Sequence, residues 1–375
     1  MAKNGKIIVC KFGGSSAADA EKFRVIKNVV LSNCKRKIIV VSAPGKRFDG
    51  DEKVTDLLVE AAAERRKEIR EKILRKVKER FYDFTALFGE NTDKERVKKE
   101  IDCALDGSEG ETLVSRGEFL SAKILAEFLG FDFADAKNLV KIRNERIDED
   151  GCLRAAQEVK IGRGLVVPGF YGENERGEIK LLPRGGSDLT GAVLSFAFGT
   201  ETYENFTDVD GVFDANPKEA GETRVGEKIS YAQLRKFSQC GAKVMSAEAC
   251  GFLRRFSVKT IIKKDDKGKC TVVSAATRYK GKFFASIAAV KVVIKKCDGI
   301  SDGEFFADVF GAAKNIGLKI FSFFSKNDDL TIYFSHDCPR KIFEFSDYAK
   351  KRGFGVFACE NVCLFNLFCN KKIAR

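Results

Sequence analysis

The 375-residue sequence contains no apolar run long enough to cross a bilayer. Its longest runs, such as the one around Ile38 to Val41, are strand-sized, whereas a spanning helix needs roughly 20 apolar residues. There is one histidine, His336, and the twelve cysteines include no Cys-x-x-Cys pair. Zinc sites usually draw on clustered Cys and His, so none is expected, and no dedicated protein metal site is assigned. The scattered thiols fit unpaired, buried cysteines in a reducing compartment. Met1 to Lys6 lead straight into a strand pattern, without the apolar stretch and cleavage site of a secretory signal. A cytoplasmic location is the expectation. Low-complexity segments are absent as well. The net charge of +13 is not gathered into one place, as it would be in a nucleic-acid binder with a basic, aromatic-interleaved patch. Its densest run, Glu64 to Arg80, mixes Lys and Arg with Glu and reads as a solvated helix face. The positive excess suits small anionic molecules.

A hydrophobic fraction of 44% is present to build a core, and the length suggests two or three domains at about 150 residues each. Apolar spacing predicts strands at Lys6–Phe12 and Lys37–Ser42, with a helix from Asp19 to Val30 between them. A charged amphipathic stretch covers Asp51 to Phe88, and a helix follows over Glu111–Leu129. Strand patterns recur at Phe131–Ala134, Gly164–Phe170, Ile179–Leu182, Thr202–Phe206 and Val258–Ile262. Helices are expected at Leu189–Phe198, Tyr231–Cys240 and Ala247–Phe256. This alternation implies an α/β fold whose mostly parallel sheet is covered on both faces. Thr260 to Arg278, rich in Lys, Asp and Gly, reads as a linker. Beyond it the pattern is strand, helix, two strands, helix, strand: Lys282–Ile294, Asp302–Ile316, Leu318–Phe324, Leu330–Ser335, Pro339–Arg352 and Val362–Cys369. That order belongs to a small ferredoxin-like α+β unit. The expected domains are 1–276 and 277–375.

Four loops carry chemistry. In Lys11-Phe12-Gly13-Gly14-Ser15-Ser16 a strand delivers a lysine and two glycines open a helix. Glycines let backbone N–H groups approach phosphate oxygens, and the helix N-terminus adds positive character. The segment is neither a Walker A nor a Gly-x-Gly-x-x-Gly pattern, and a plain turn explains it equally well on its own. Pro183-Arg184-Gly185-Gly186-Ser187-Asp188 again joins glycines to a helix start. Arginine is suited to bidentate carboxylate recognition, although Ser187 or Asp188 also fits an ordinary N-cap. Thr207-Asp208-Val209-Asp210-Gly211-Val212-Phe213-Asp214 places acidic and hydroxyl groups after a strand, where open α/β sheets hold nucleotides. It lacks the spacing of an EF-hand. Gly241-Ala242-Lys243-Val244 sets a lysine after a helix.

Taken together, these loops resemble the amino-acid-kinase superfamily, and within it the aspartate kinases. The resemblance covers roughly the first 260 residues. It extends to Val40-Val41-Ser42-Ala43, Val54-Thr55-Asp56-Leu57-Leu58, Ser115-Arg116-Gly117-Glu118-Phe119-Leu120-Ser121-Ala122, Pro168-Gly169-Phe170 and Ile229-Ser230-Tyr231. It implies a three-layer αβα sandwich and transfer of the ATP γ-phosphoryl group to the side chain of aspartate. Lys11 and Lys243 would neutralise the moving phosphoryl group, with Gly13, Gly14 and Ser15 cradling it and Asp188 orienting the lysines or the metal. Glu118 would take the α-ammonium of aspartate and Arg184 its α-carboxylate. Ser42, Thr55, Gly186 and Ser187 would line the same pocket. Thr207, Asp208, Asp210 and Phe213 would lie by the nucleotide, with Mg²⁺ held mainly through its phosphates.

The sequence departs from the family at three places. Phe213 stands where many members have Tyr, Ser246-Ala247 replaces the usual His-Pro, and Lys263-Lys264-Asp265 replaces Asn-Thr-Asn. The C-terminal unit is similar to an ACT domain, which implies regulation by an amino acid such as lysine or threonine. Family members commonly carry two such modules. This chain has room for about one, so pairing with a second chain in a homodimer is expected. A non-catalytic amino-acid sensor on the same scaffold, or a kinase for another carboxylate, is the alternative. The presence of Lys11, Glu118, Arg184 and Asp188 speaks against the sensor.

Overall fold

A computed structural model describes residues 7–89, 93–183, 185–213, 226–239, 244–275, 283–297, 299–318, 320–326, 328–335 and 339–368. Among them the chain divides into two compact units. One holds 7–213, 226–235 and 244–275, and the other holds 236–239 and the residues from 283 onward.

The first unit begins β1 (Ile8–Phe12), α1 (Ala20–Leu31) and β2 (Arg36–Val41). Four helices follow: α2 (Val54–Ala63), α3 (Lys67–Tyr82), α4 (Lys94–Asp106) and α5 (Gly110–Leu129). Next come β3 (Asp132–Phe133), α6 (Ala136–Leu139), the hairpin β4 (Ile142–Arg143) and β5 (Arg146–Ile147), α7 (Glu149–Gln157) and β6 (Leu165–Pro168). A second hairpin, β7 (Tyr171–Glu173) and β8 (Ile179–Leu181), precedes α8 (Gly186–Ala197) and β9 (Thr202–Phe206). The series closes with β10 (Lys228–Ser230), α9 (Tyr231–Gln239), α10 (Ala247–Arg255), β11 (Lys259–Lys263) and β12 (Cys270–Ser274).

Eight strands form one sheet in the order β10-β12-β11-β9-β1-β2-β6-β3. Only the β11–β12 pairing is antiparallel, so the sheet is mostly parallel, as the alternation of elements implied. β1 lies centrally between β2 and β9. Its neighbour β2 is Arg-Lys-Ile-Ile-Val-Val, and Ile38 to Val41 are fully buried, as befits a strand covered on both faces. On one face, α1 packs Phe23, Ile26 and Val30 into the core and is started by Asp19, whose carboxylate accepts from the Lys22 amide at 2.9 Å. α5 ends at Gly130, which adopts φ +64°.

Three expectations are corrected. The strand expected at Val258–Ile262 is β11, but the residues after it, 264–274, are not a linker: they turn the chain into β12, which closes an antiparallel hairpin of the main sheet with β11. Thr260, Ile262, Thr271 and Val273 point inward, and the Lys-Asp-Gly cluster is its turn. There Asp265 accepts from the amides of Lys267 and Gly268, each at 2.7 Å. The basic run 64–80 is not wholly solvated, because α3 buries Ile73, Leu74, Val77, Arg80 and Phe81. The cysteines are not uniformly buried either. Cys10, Cys152 and Cys250 are buried, while Cys34 and Cys103 are exposed. Helices α4 and α7, the hairpin β4–β5 and strand β7 were not assigned from the sequence, whereas β8 lies at the strand expected over Ile179–Leu182.

The second unit contains β13 (Phe283–Lys295), α11 (Asp302–Ile316), β14 (Ile320–Lys326), β15 (Asp329–Ser335), α12 (Pro339–Lys351) and β16 (Gly355–Phe368). Its antiparallel sheet runs β14-β15-β13-β16, the ferredoxin-like arrangement expected from element order. β16 is longer than its apolar core suggested, and it pairs with β13 along its length. Phe305, Val309 and Phe345 from the helices pack against Val292, Ile294, Ile332 and Phe334 of the strands. A capping box formed by Ser301 and Glu304 starts α11. No helix among the described residues is long and apolar enough to cross a membrane.

On the α1 face of the main sheet lies a quartet of charges, three of them buried (Arg36, Glu204 and Lys263) and the fourth, Asp266, at the surface. Arg36 donates to Glu204 at 2.7 Å and also pairs with Asp266. Lys263 reaches Glu204 at 2.8 Å and Asp266 at 2.9 Å. Both cations lie over the ring of Phe206, which stacks on Phe12. Lys263, a departure from the family pattern, therefore completes a neutral network. Glu204 is the pivot, at 4% exposure, and removing one member of a buried pair strands the other charge. Glu204→Ala should cost about 3–5 kcal/mol of stability in urea titrations. A loss under about 1 kcal/mol would show that the network contributes little.

Candidate active site

The C-terminal ends of β1, β2, β6 and β9 meet the N-terminus of α8, where open α/β sheets bind ligands. Lys11 occupies the end of β1. Its ammonium lies 2.7 Å from the Asp188 carboxylate, with side-chain exposures of 12% and 9%. Asp188 sits in the first turn of α8, and its other oxygen accepts from the Ser246 amide at 2.9 Å. Asn205, wholly buried on β9, aims its amide at Asp188 at 3.5 Å and at the Val244 carbonyl at 3.4 Å. Lysine and aspartate are thus brought together from positions 177 residues apart by the sheet and the helix packed on it.

Around Lys11 the backbone is packed too closely for side chains. A Cβ on Gly45 would lie 2.6 Å from the Gly14 carbonyl carbon, and one on Gly14 would lie 3.1 Å from the Ala43 oxygen. The Gly45 amide donates to the Gly14 carbonyl at 2.9 Å. Ser15, in the 3-10 turn Gly14–Ala17, is exposed. On the far side, Gly185 starts α8 with φ +81°, and a Cβ there would meet Ser246 at 2.6 Å. Gly186 and Ser187 are buried behind it, and a Cβ on Gly169 would come within 2.4 Å of the Ser187 hydroxyl. Phe170 holds φ +77°. A strained non-glycine residue costs on the order of 1–3 kcal/mol and is typical of functional sites.

Ala43 links this cradle to a second feature. Its methyl group lies where a Cβ on Gly117 would approach to 2.8 Å, and its amide partly stabilises the Glu118 carboxylate. Glu118 is 3% exposed, and its Oε2 has no hydrogen-bond partner. Burial pushes its pKa up to about 8. One turn onward, the buried hydroxyl of Ser121 also lacks a partner. An orphaned carboxyl oxygen of this kind fits a cationic ligand. Ser42 and Thr55, both half-buried, flank Ala43 at the end of β2 and the start of α2.

The loop after β9 is fastened to the β11–β12 hairpin. The Thr207 amide donates to the Lys263 carbonyl at 3.0 Å, and its hydroxyl donates to Asp208 at 3.1 Å. Asp208 is exposed, and Asp210 and Phe213 are half-buried. Arg184 and Lys243 lie outside the described residues. Asn205 and Ser246 escaped the sequence reading. Ser246 was noted only as a departure, yet its hydroxyl caps α10 by accepting from the Ala249 amide at 3.2 Å.

Residues 6–264 match the amino acid kinase family. Aspartokinase 3 of Bacillus subtilis is 27% identical over 64% of the chain, and the chain spans only 57% of that relative's length. The aspartate kinase of Clostridium acetobutylicum superposes with a TM-score of 0.70 at 27% identity, covering 96% of this chain and 85% of that one. Escherichia coli aspartokinase III shares the fold in two solved states. With aspartate and ADP the TM-score is 0.74 at 21% identity, over 96% and 86% of the two chains. With lysine and aspartate it is 0.76 at 20% identity, over 96% and 85%.

Between its ordinary value of 4.5 and about 8, the folded chain keeps a proton on Glu118 that the unfolded chain releases. Stability therefore falls as pH rises across that window. At pH 7 the deficit is on the order of 3 kcal/mol. Glu118→Gln should raise the unfolding midpoint at neutral and mildly alkaline pH, with the gain fading toward pH 4.5. A variant less stable than the parent at every pH would contradict this account.

Proposed function

Because the chain belongs to the amino acid kinase family, we propose that it is an aspartate kinase, transferring the ATP γ-phosphoryl group to the β-carboxylate of L-aspartate. The product, 4-phospho-L-aspartate, opens the route to lysine, threonine and methionine. The observation that carries the reading is the pairing of two opposite features across Ala43. A buried Glu118 carboxyl group with one unpartnered oxygen suits an ammonium, and a glycine-lined lysine at Lys11 suits a phosphate. An amino acid phosphorylated on its side chain needs both.

The acceptor carboxylate is already ionised, with an ordinary pKa of about 3.9, so no general base is required. Catalysis then rests on placement and charge stabilisation. In this reading Asp188 aims Lys11 at the moving phosphoryl group, and Lys243 adds a second cation. Gly13, Gly14 and Ser15 present backbone N–H groups, while Gly186 and Ser187 close the opposite wall. Glu118 binds the α-ammonium of aspartate and Arg184 its α-carboxylate, with Ser42 and Thr55 lining the pocket. Thr207, Asp208, Asp210 and Phe213 contact the nucleotide. When bound through the ATP phosphates, Mg²⁺ supplies further charge neutralisation.

The C-terminal unit, residues 277–375, is proposed as an ACT-like regulatory domain in a cytoplasmic homodimer, responding to lysine or threonine. The lysine-bound state of E. coli aspartokinase III supports an amino-acid effector. An effector acts by favouring one of two states, with a coupling of about 1–3 kcal/mol.

Purified protein given ATP, Mg²⁺ and hydroxylamine should form the hydroxamate with aspartate and not with glutamate. Lys11→Ala should lower kcat by about 10²–10³-fold, the typical loss for a transition-state charge contact, with little change in aspartate KM. Hydroxamate formed equally from other amino acids, or a near-parental kcat in Lys11→Ala, would reject the respective assignments. Ending the chain after Ala276 should yield a folded monomer insensitive to lysine and threonine. Sedimentation of a truncated protein that remains dimeric, together with retained inhibition, would refute the regulatory proposal.

A further inference from the structure

Arg80 interrupts the apolar stripe of α3, among Ile73, Leu74, Val77 and Phe81, yet it is only 6% exposed. Its Nη2 donates to the Gly45 carbonyl at 2.8 Å and to the Ala18 carbonyl at 3.2 Å. Its Nη1 donates to the Glu52 carbonyl and to Asp51 Oδ2, each at 3.0 Å. Gly45 is the residue whose amide bonds to Gly14, and Ala18 directly follows the 3-10 turn Gly14–Ala17. Glu52 lies just before α2, on which Thr55 sits. One planar group therefore grips both walls of the glycine cradle and the approach to the adjoining pocket.

Core packing alone does not account for this. A leucine or methionine would continue the stripe without desolvating a charge. The Asp51 carboxylate is shared, because it also takes Arg47 through its amide at 2.9 Å and its Nε at 3.0 Å, while Arg47 reaches Asp83 at 3.6 Å as well. Asp51 thus has a cationic partner without Arg80. Arg80 gains instead a rigid fork that fixes three carbonyls at once, a geometry a lysine ammonium does not reproduce.

We propose that Arg80 is a positioning residue for phosphoryl transfer, holding the Gly13-Gly14 turn and the Ala43-Pro44-Gly45 turn at the separation that ATP phosphates require. The inference rests on the aspartate kinase reading above. A misplacement of about 1 Å can cost 10²-fold in rate, so Arg80→Lys and Arg80→Met should each lower kcat by about 10- to 100-fold. Aspartate KM should stay within about twofold, and affinity for a fluorescent ADP analogue, measured by titration, should fall. Methylguanidinium added to Arg80→Ala should restore part of the rate. A folded Arg80→Met with kcat within about twofold of the parent would overturn the proposal. So would a loss of kcat that only tracks the unfolded fraction and does not recover with methylguanidinium. Should Arg80→Met not fold, Arg80→Lys decides by the same measurements. If the parent chain fails to phosphorylate aspartate, that reading fails separately. The ADP-analogue affinities then judge Arg80 alone, and an unchanged affinity in the folded variants overturns the inference.

Discussion

The ammonium of Lys11 sits in a largely buried ion pair at the end of the central strand, and the fold around it is arranged to satisfy that pair. Its partner Asp188 is 2.7 Å away. A buried ion pair gains from attraction only when geometry is good and the remaining lone pairs are satisfied. Both conditions are met through backbone elements rather than through neighbouring charges. Asp188 is carried by the first turn of α8, and its second oxygen takes the Ser246 amide. Ser246 in turn is fixed because its own hydroxyl starts α10. The position of the lysine thus depends on two helix termini and one strand. That dependence gives a physical reason for Gly185, whose missing Cβ lets α8 begin against Ser246 without a clash and whose backbone is left-handed.

The opposite face of the same strands carries charge too, but for another purpose. Strand alternation puts Lys11 and Asn205 on the α8 side and Cys10 and Glu204 on the other. On that second side the quartet of Arg36, Glu204, Lys263 and Asp266 closes on itself. It ties the β11–β12 hairpin to β2 and β9, and the Lys263 carbonyl in turn holds the Thr207 amide. Lys263 is therefore paired with local acidic partners on the face away from Lys11. Two separate electrostatic systems share one sheet because a strand directs successive residues to opposite faces.

Much of this was legible in the sequence where the chemistry is contiguous. Lys11 with Gly13 and Gly14, and Asp188 after Gly185 and Gly186, each sit in one short segment that a turn or an N-cap also explains, and Glu118 after Gly117 was picked out by the family resemblance; their joint occurrence in one order pointed to a ligand. What stayed hidden was assembled from distant pieces. Asn205 looks like any strand residue until β9 is placed beside β1. Ser246 lies 58 residues from the carboxylate it serves and donates from its backbone, which carries no side-chain signature. Arg80 was masked by the basic run around it, since helix patterning treats one arginine like another. The strand at β11 was expected, but the turn and β12 that follow it were misread as a linker, because a tight turn and a flexible linker use the same residues, Asp, Gly and Lys. Only the inward alternation of Thr260, Ile262, Thr271 and Val273 separates the two.

Glu118 joins stability to the proposed chemistry. A carboxyl group held at 3% exposure with one oxygen unpaired works against folding at neutral pH. Such a group is tolerable where a ligand returns the lost stabilisation, and the α-ammonium of aspartate is a ligand of the right charge. An incoming cation lowers the pKa of the acid it approaches. Because burial holds Glu118 near 8 in the free chain, binding would expel its proton at neutral pH. The same step would convert a neutral acid into the anion that holds the substrate. Affinity for the amino acid would then weaken as the solution becomes more acidic, since protonation of Glu118 competes with the ammonium. Selectivity follows from the same source. A carboxylic acid without an ammonium offers nothing to draw the proton away, and it would leave Glu118 neutral and its oxygen still unpaired.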